Sequence, residues 1–220
     1  MIRFEQLTKV FRMEGKSKVV ADAISTTFPT GRSVALLGRN GAGKSTLLQM
    51  IAGTMDPTSG RIVSTGTISW PVGFAGSFHG DLSGAQNTRF IARIYGVDCD
   101  ELVDFVEDFA GLGEHFRLPF RTYSSGMKAR LAFGVSMGID FGTYLVDEVT
   151  AVGDAAFRTK SDRVFKARME RAGAVVVSHS MAQIRQMCDA GAVLEHGKLT
   201  YYDNVEDAIR HHNRNMAQSG

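Results

Sequence analysis

Residues 33–53 read SVALLGRNGAGKSTLLQMIAG. An apolar strand gives way to a loop with three glycines, and Lys-Ser-Thr then runs into a helix. Gly38, Arg39, Asn40, Gly41, Ala42, Gly43, Lys44 and Ser45 match the pattern G-x-x-x-x-G-K-[ST]. Glycines let the backbone turn tightly, so that successive N–H groups point inward at a β-phosphate. The helix that starts near Lys44 adds the positive end of its dipole. Lys44 can bridge β- and γ-oxygens, Ser45 can ligate Mg²⁺ through its hydroxyl, and Thr46 can donate to an α-phosphate. The motif alone does not separate an ATPase from a GTPase or a kinase. The sequence has no N-K-x-D, the usual guanine reader.

Working outward, TYLVDE (143–148) is a second buried strand that ends in two acids. Asp147 at its carboxyl end is placed to hold Mg²⁺, through water. Glu148 points differently and can orient or deprotonate an attacking water. His179 closes another apolar strand and is placed to reach a γ-phosphate. Between these strands and the loop, residues from about 84 to 138 turn helical, with apolar side chains at three- and four-residue spacing. Within that span YSSGMKARLAFGVSM (123–137) reads as Ser-Ser-Gly opening an amphipathic helix. Ser124 or Ser125 can cap it, and Gly126 allows a phosphate to approach closely.

IRFEQLTKVF and VVADAISTTF read as short strands, GRIVSTGTISW alternates like a hairpin at a sheet edge, and 154–171 is a polar helix. A hairpin, AVLEHGKLTYY, and a helix, NVEDAIRHHN, close the chain. The expected class is α/β: a single 1–220 domain of mostly parallel strands, with an antiparallel β edge and an inserted helical subdomain at about 84–138.

At 220 residues, 44% of them apolar and 22% charged, the chain has ordinary globular composition. Lys and Arg outnumber Asp and Glu by only 25 to 23, so no basic footprint points to a nucleic-acid partner. Cys99 and Cys188 stand far apart without C-x-x-C spacing, which argues against zinc or a disulfide and suits a reducing compartment. The amino terminus carries charges where a signal peptide is apolar, and no apolar run approaches the roughly 20 residues of a membrane span.

These motifs, in this order and spacing, resemble the ATP-binding cassette (ABC) ATPases, a P-loop family with a RecA-like core. YSSGM stands where that family carries its L-S-G-G-Q signature. The resemblance implies ATP and Mg²⁺ as ligands and a head-to-tail homodimer. In it, Ser124, Ser125 and Gly126 of one copy close on the γ-phosphate held by the other. It further implies that Phe11 stacks on adenine and that Asp154 is the D-loop aspartate. His179 matches the switch histidine, joining Glu148 and Lys44 in catalysis. Tyr123, Ser125 and Met127 depart from the usual leucine, glycine and glutamine. No glutamine stands at the Q-loop place within WPVGFAGSFHGDLSG, so either backbone, water or His79 takes that part or metal sensing is looser in this chain.

GFAGSFHGDLSGAQN, DEVTAVGDAAFRTKS and SHSMAQIRQMCDAGAVLEHGKL are similar to the branch that exports cell-surface polysaccharides. The ending HHNRNMAQSG, with no sugar-binding domain, is similar to capsular polysaccharide exporters. That branch implies a dimeric membrane permease as partner, within a larger export complex. The chain is then expected on the cytoplasmic face of the inner membrane, with Phe74, Phe78 and Phe90 as candidate permease contacts. Export of O-antigen or teichoic acid is the second reading, and a non-transport ABC ATPase the third.

Overall fold

Two long strands begin the chain: β1 (Ile2–Met13) and β2 (Lys16–Phe28) pair antiparallel, from Ile2 opposite Phe28 to Met13 opposite Lys16. Next come β3 (Ser33–Leu37), helix α1 (Lys44–Ile51) and β4 (Ser59–Ser64), the last returning antiparallel along the free edge of β1. The computed structural model describes residues 1–13, 15–76, 78–147 and 154–217. It divides into two units, one of Met1–Pro71, Phe141–Glu148 and Met169–Gly220, the other of Val72–Asp140 and Val149–Arg168.

The first unit holds a three-stranded sheet of order β2-β1-β4 and a six-stranded sheet. The latter comprises β5 (Ile68–Pro71), β6 (Thr143–Asp147), β7 (Gly173–Val177), β3, β8 (Ala190–Glu195) and β9 (Lys198–Tyr202), in that spatial order. Neighbours run parallel except β9, which turns back on β8. His196 and Gly197 make that turn with φ of 47° and 79°, the left-handed pair that a two-residue hairpin needs. Residues Val34–Leu37 of β3 are fully buried, as an all-apolar strand in a doubly covered parallel sheet must be. Leu36, Leu47, Leu48, Leu145, Val175 and Leu194 share its core, each contributing about 1.5–3 kcal/mol of transfer free energy. Phe4 meets Phe28 edge-on at 5.0 Å across the three-stranded sheet. Helices α6 (Met181–Met187) and α7 (Val205–Ala217) complete this unit.

One expectation fails here. GRIVSTGTISW is no hairpin: β4 joins the antiparallel sheet beside β1, whereas β5 runs parallel to β6 at the edge of the other sheet. Alternation reports a strand with one covered face, and it carries no information about which neighbour covers that face.

The second unit is helical: α2 (Gly84–Tyr95), α3 (Cys99–Ala110), α4 (Ser125–Gly138) and α5 (Ala155–Met169), the last of which belongs to this unit through Arg168. Ser83 and Gln86 form a reciprocal capping box at α2, and the Asp98 carboxylate accepts from Asp100 and Glu101 N–H groups at α3. Phe109 binds the bundle together, stacking near Phe105 and Phe133 and meeting Phe157 of α5 edge-on at 5.3 Å. The second half of α4 is not amphipathic, for Leu131–Met137 are all buried. The polar Ser136 is tolerated because its hydroxyl donates to the Ala132 carbonyl at 2.9 Å.

Candidate functional site

The loop between β3 and α1 follows the carboxyl end of the central strand, flanked by β7 and β8. Open α/β sheets bind ligands beyond that edge, where the strand order reverses. Gly43 is the N-cap of α1, in left-handed conformation with φ 107°, and no side chain caps the helix. The first turn contains no acidic residue. The orphan N–H groups and the dipole therefore present an anion site that the protein does not fill itself.

Two glycines have steric reasons. A β-carbon on Gly38 would stand 2.5 Å from the Leu194 carbonyl oxygen, so β8 backbone presses on the loop. A β-carbon on Gly43 would run into the side chain of Val20 on β2. The loop is gripped between two strands. The Lys44 ammonium donates to the Gly38 and Arg39 carbonyls at 2.8 and 3.1 Å. Arg39 and Asn40 are exposed, Ala42 closes a turn onto the Arg39 carbonyl at 3.1 Å, Ser45 is exposed and Thr46 half-buried.

Asp147 ends β6 in register with Val177, and His179 follows β7 by two residues and is exposed. Since β6, β7 and β3 are neighbours, the first unit gathers the phosphate loop, Asp147 and His179 at one sheet edge. Phe11 is half-buried on β1 of the same unit, and the Lys9 ammonium stands 5.1 Å from its ring centre. Glu148 lies outside the described residues. The serine hydroxyl of Ser45 and the carboxylate of Asp147 are hard oxygen donors of the kind that suit Mg²⁺.

The second unit carries Ser124, Ser125, Gly126 and Asp154. Ser124 is the cap, its hydroxyl accepting from the Met127 N–H at 3.3 Å, while Ser125 begins α4. A cavity of about 350 Å³ opens beside them, lined by His115, Ser124, Gly126, Met127 and Arg130 among others. Tyr123 has a structural reason of its own. It is 4% exposed, and its hydroxyl accepts from the Gly84 N–H at 3.2 Å, tying the start of α4 to the start of α2. Burial pushes its phenol above the ordinary range.

Asp154 caps α5, accepting from the Phe157 N–H at 2.9 Å, and pairs with Arg130 at 2.8 Å. The Phe157 N–H, then the guanidinium, hold its carboxyl below the usual range. Arg130 also lies over the Phe157 ring at 4.9 Å. No local pattern in the sequence marks Arg130, seven residues after Tyr123. None marks Asn87 either, which is buried and clamps the preceding loop. The Asn87 amide donates to the His79, Leu82 and Ser83 carbonyls, and its oxygen accepts from the His79 N–H at 2.8 Å. Of the three phenylalanines named as candidate permease contacts, Phe74 and Phe90 are exposed, at 53% and 52%. Phe78 is half-buried against Phe120, with ring centres 5.2 Å apart, because the Asn87 clamp draws its loop onto the helices.

Comparison with known proteins bears on the whole chain. Residues 21–151 match the family described as ABC transporter. The polysialic acid transport ATP-binding protein KpsT of Escherichia coli is 47% identical over 212 residues, 95% of each chain. The capsule polysaccharide export ATP-binding protein CtrD of Neisseria meningitidis serogroup B (strain ATCC BAA-335 / MC58) is 43% identical over 97% of this chain and 99% of its own. Among solved structures, the dimeric post-hydrolysis state of the ATP-binding cassette MJ0796, bound to ADP and Pi, superimposes with a TM-score of 0.75. It is 18% identical and covers 93% of this chain and 99% of its own. An uncapped helix behind a strand-gripped glycine loop, in a chain that matches over nearly its full length, makes this protein a member of the ABC transporter ATPase family.

Proposed function

We propose that the protein hydrolyses ATP to ADP and phosphate as the motor subunit of a capsular polysaccharide exporter. The observation that carries this reading is the near full-length likeness to KpsT and CtrD, at 47% and 43% identity. In this reading two copies work head-to-tail with a separate membrane permease on the cytoplasmic face of the inner membrane. No helix of the described residues is long and apolar enough to cross a membrane.

The phosphate chain is held by the N–H groups of residues 41–46 and by Lys44, which exchanges its loop carbonyls for β- and γ-oxygens. Ser45 and Asp147 would hold Mg²⁺, which when bound neutralises charge that develops on the transferred phosphoryl group. Glu148 takes the role of orienting or deprotonating water, and His179 that of steadying the γ-phosphate side. The Ser124, Ser125 and Gly126 turn of a second copy supplies a further helix N-terminus. Turnover then requires two copies to meet.

The test is Lys44→Ala in a strain that depends on this gene for capsule. Phosphate release by the purified protein should fall at least a hundredfold, and surface capsule should disappear while O-antigen stays. Loss of O-antigen with intact capsule would move the assignment to the other glycan.

A further inference from the structure

We propose that Lys18 is a positioning residue for the nucleotide, supplying a second side-chain cation to the phosphate chain between Phe11 and the loop. The proposal rests on the reading of residues 38–46 as the phosphate loop and of Phe11 as the base platform. Three observations place Lys18 there. Phe11 and Lys18 are direct partners in the β1–β2 ladder, so both side chains rise from the same face of the sheet. Val20, the unpaired residue at the register shift between Val10–Val19 and Lys9–Ala21, is buried against Gly43. The Lys18 ammonium lies 3.8 Å from where a β-carbon on Gly41 would stand. One strand thus touches the loop twice, through Val20 at its helix end and Lys18 at its middle, while facing the base platform across the ladder.

The strand is locked in that register, for β1 and β2 pair without a shift from Val10 opposite Val19 to Met13 opposite Lys16. Lys18 is exposed and enters no ion pair among the described residues, so its charge is available to a ligand. The neighbouring cation is already committed: Lys9 donates to the Asp56 carbonyl at 2.7 Å and covers the Phe11 ring. A ligand that stacks on Phe11 and seats its phosphates in the loop must run past Lys18. Its cation serves the part of the chain common to nucleoside di- and triphosphates, so it sets affinity, not turnover.

The experiment measures binding of ATP and of ADP to the full chain by calorimetry, for wild type, Lys18→Ala, Lys18→Arg and Lys44→Ala. Lys18→Ala should weaken both nucleotides by the same factor, about five- to tenfold. Lys18→Arg should recover most of it, and raising salt from 0.05 to 0.5 M should narrow the gap. In turnover, KM should rise while kcat stays within twofold. Unchanged affinity in Lys18→Ala, or a loss confined to ATP, overturns the proposal, provided Lys44→Ala binds poorly. If Lys44→Ala also binds as wild type, the phosphate-loop reading itself is wrong. Should Lys18→Ala fail to fold, Lys18→Gln keeps the stem and carries the same comparison.

Discussion

Tyr123 shows how one side chain can serve two helices. Its ring is buried beside Phe120, and its hydroxyl satisfies a backbone N–H at the first turn of α2. Tyr123→Phe keeps the ring and orphans the Gly84 N–H, so it should destabilise the protein by about 1–3 kcal/mol. Urea unfolding checks this: the midpoint should fall with the slope unchanged. Asp154 gives a residue-scale prediction with a pH signature. Its folded carboxyl is held below its usual range by the Phe157 N–H and then by Arg130. Such a group contributes stability above its unfolded pKa and loses it as pH falls through the folded one. Asp154→Ala should therefore lower Tm at pH 7, and the deficit should shrink toward zero as the solution is acidified below pH 4. A deficit that stays constant across that range would show that the charge plays no part.

Among the elements, α2 is the one whose exposed face is out of keeping with its polar cap. Phe90 and Ile94 stand one turn apart and are 52% and 58% exposed. Two large apolar side chains on one face suit a partner surface more than solvent. In the exporter reading that partner is the permease. Phe90→Ser with Ile94→Ser should leave ATP hydrolysis by the purified subunit within twofold of wild type and cut capsule export tenfold or more. Equal loss of both would assign the pair to the subunit's own stability. Elements were the level at which sequence spoke most clearly. β3, α1, β6, β7 and the β8–β9 hairpin were legible because burial forces their residue choice: continuous apolar runs, a glycine-rich entry to a helix, His-Gly at a tight turn. Strand neighbours were not, since β4 and β5 alternate alike yet enter different sheets. Nor was the wrapping of α4, whose small residues Gly134 and Ser136 hide a fully buried face. At the site, loop residues could be read from spacing. Val20 and Lys18 could not, because they reach the loop through a ladder register that no local pattern encodes.

At the scale of the whole molecule, the proposed reading makes a pair of copies the working species. If Ser124–Gly126 of one copy completes the centre of the other, Glu148→Gln should bind ATP, fail to hydrolyse it and accumulate as a dimer. Size-exclusion chromatography with light scattering should give twice the monomer mass of 23.9 kDa when ATP and Mg²⁺ are present, and the monomer mass without them. A monomer under both conditions would overturn the shared centre. The helical unit has a consequence for synthesis on the ribosome. Its core closes only when Phe157 reaches Phe109, and α5 is separated from α4 in the chain by strand β6. A nascent polypeptide that has emerged as far as Asp140 still shows Phe109 on an unfinished bundle, a natural target for a chaperone. Translation must bring out some thirty more residues before that surface is sealed. A fragment cut at the visible end of the first helical stretch would carry the same unsealed surface permanently.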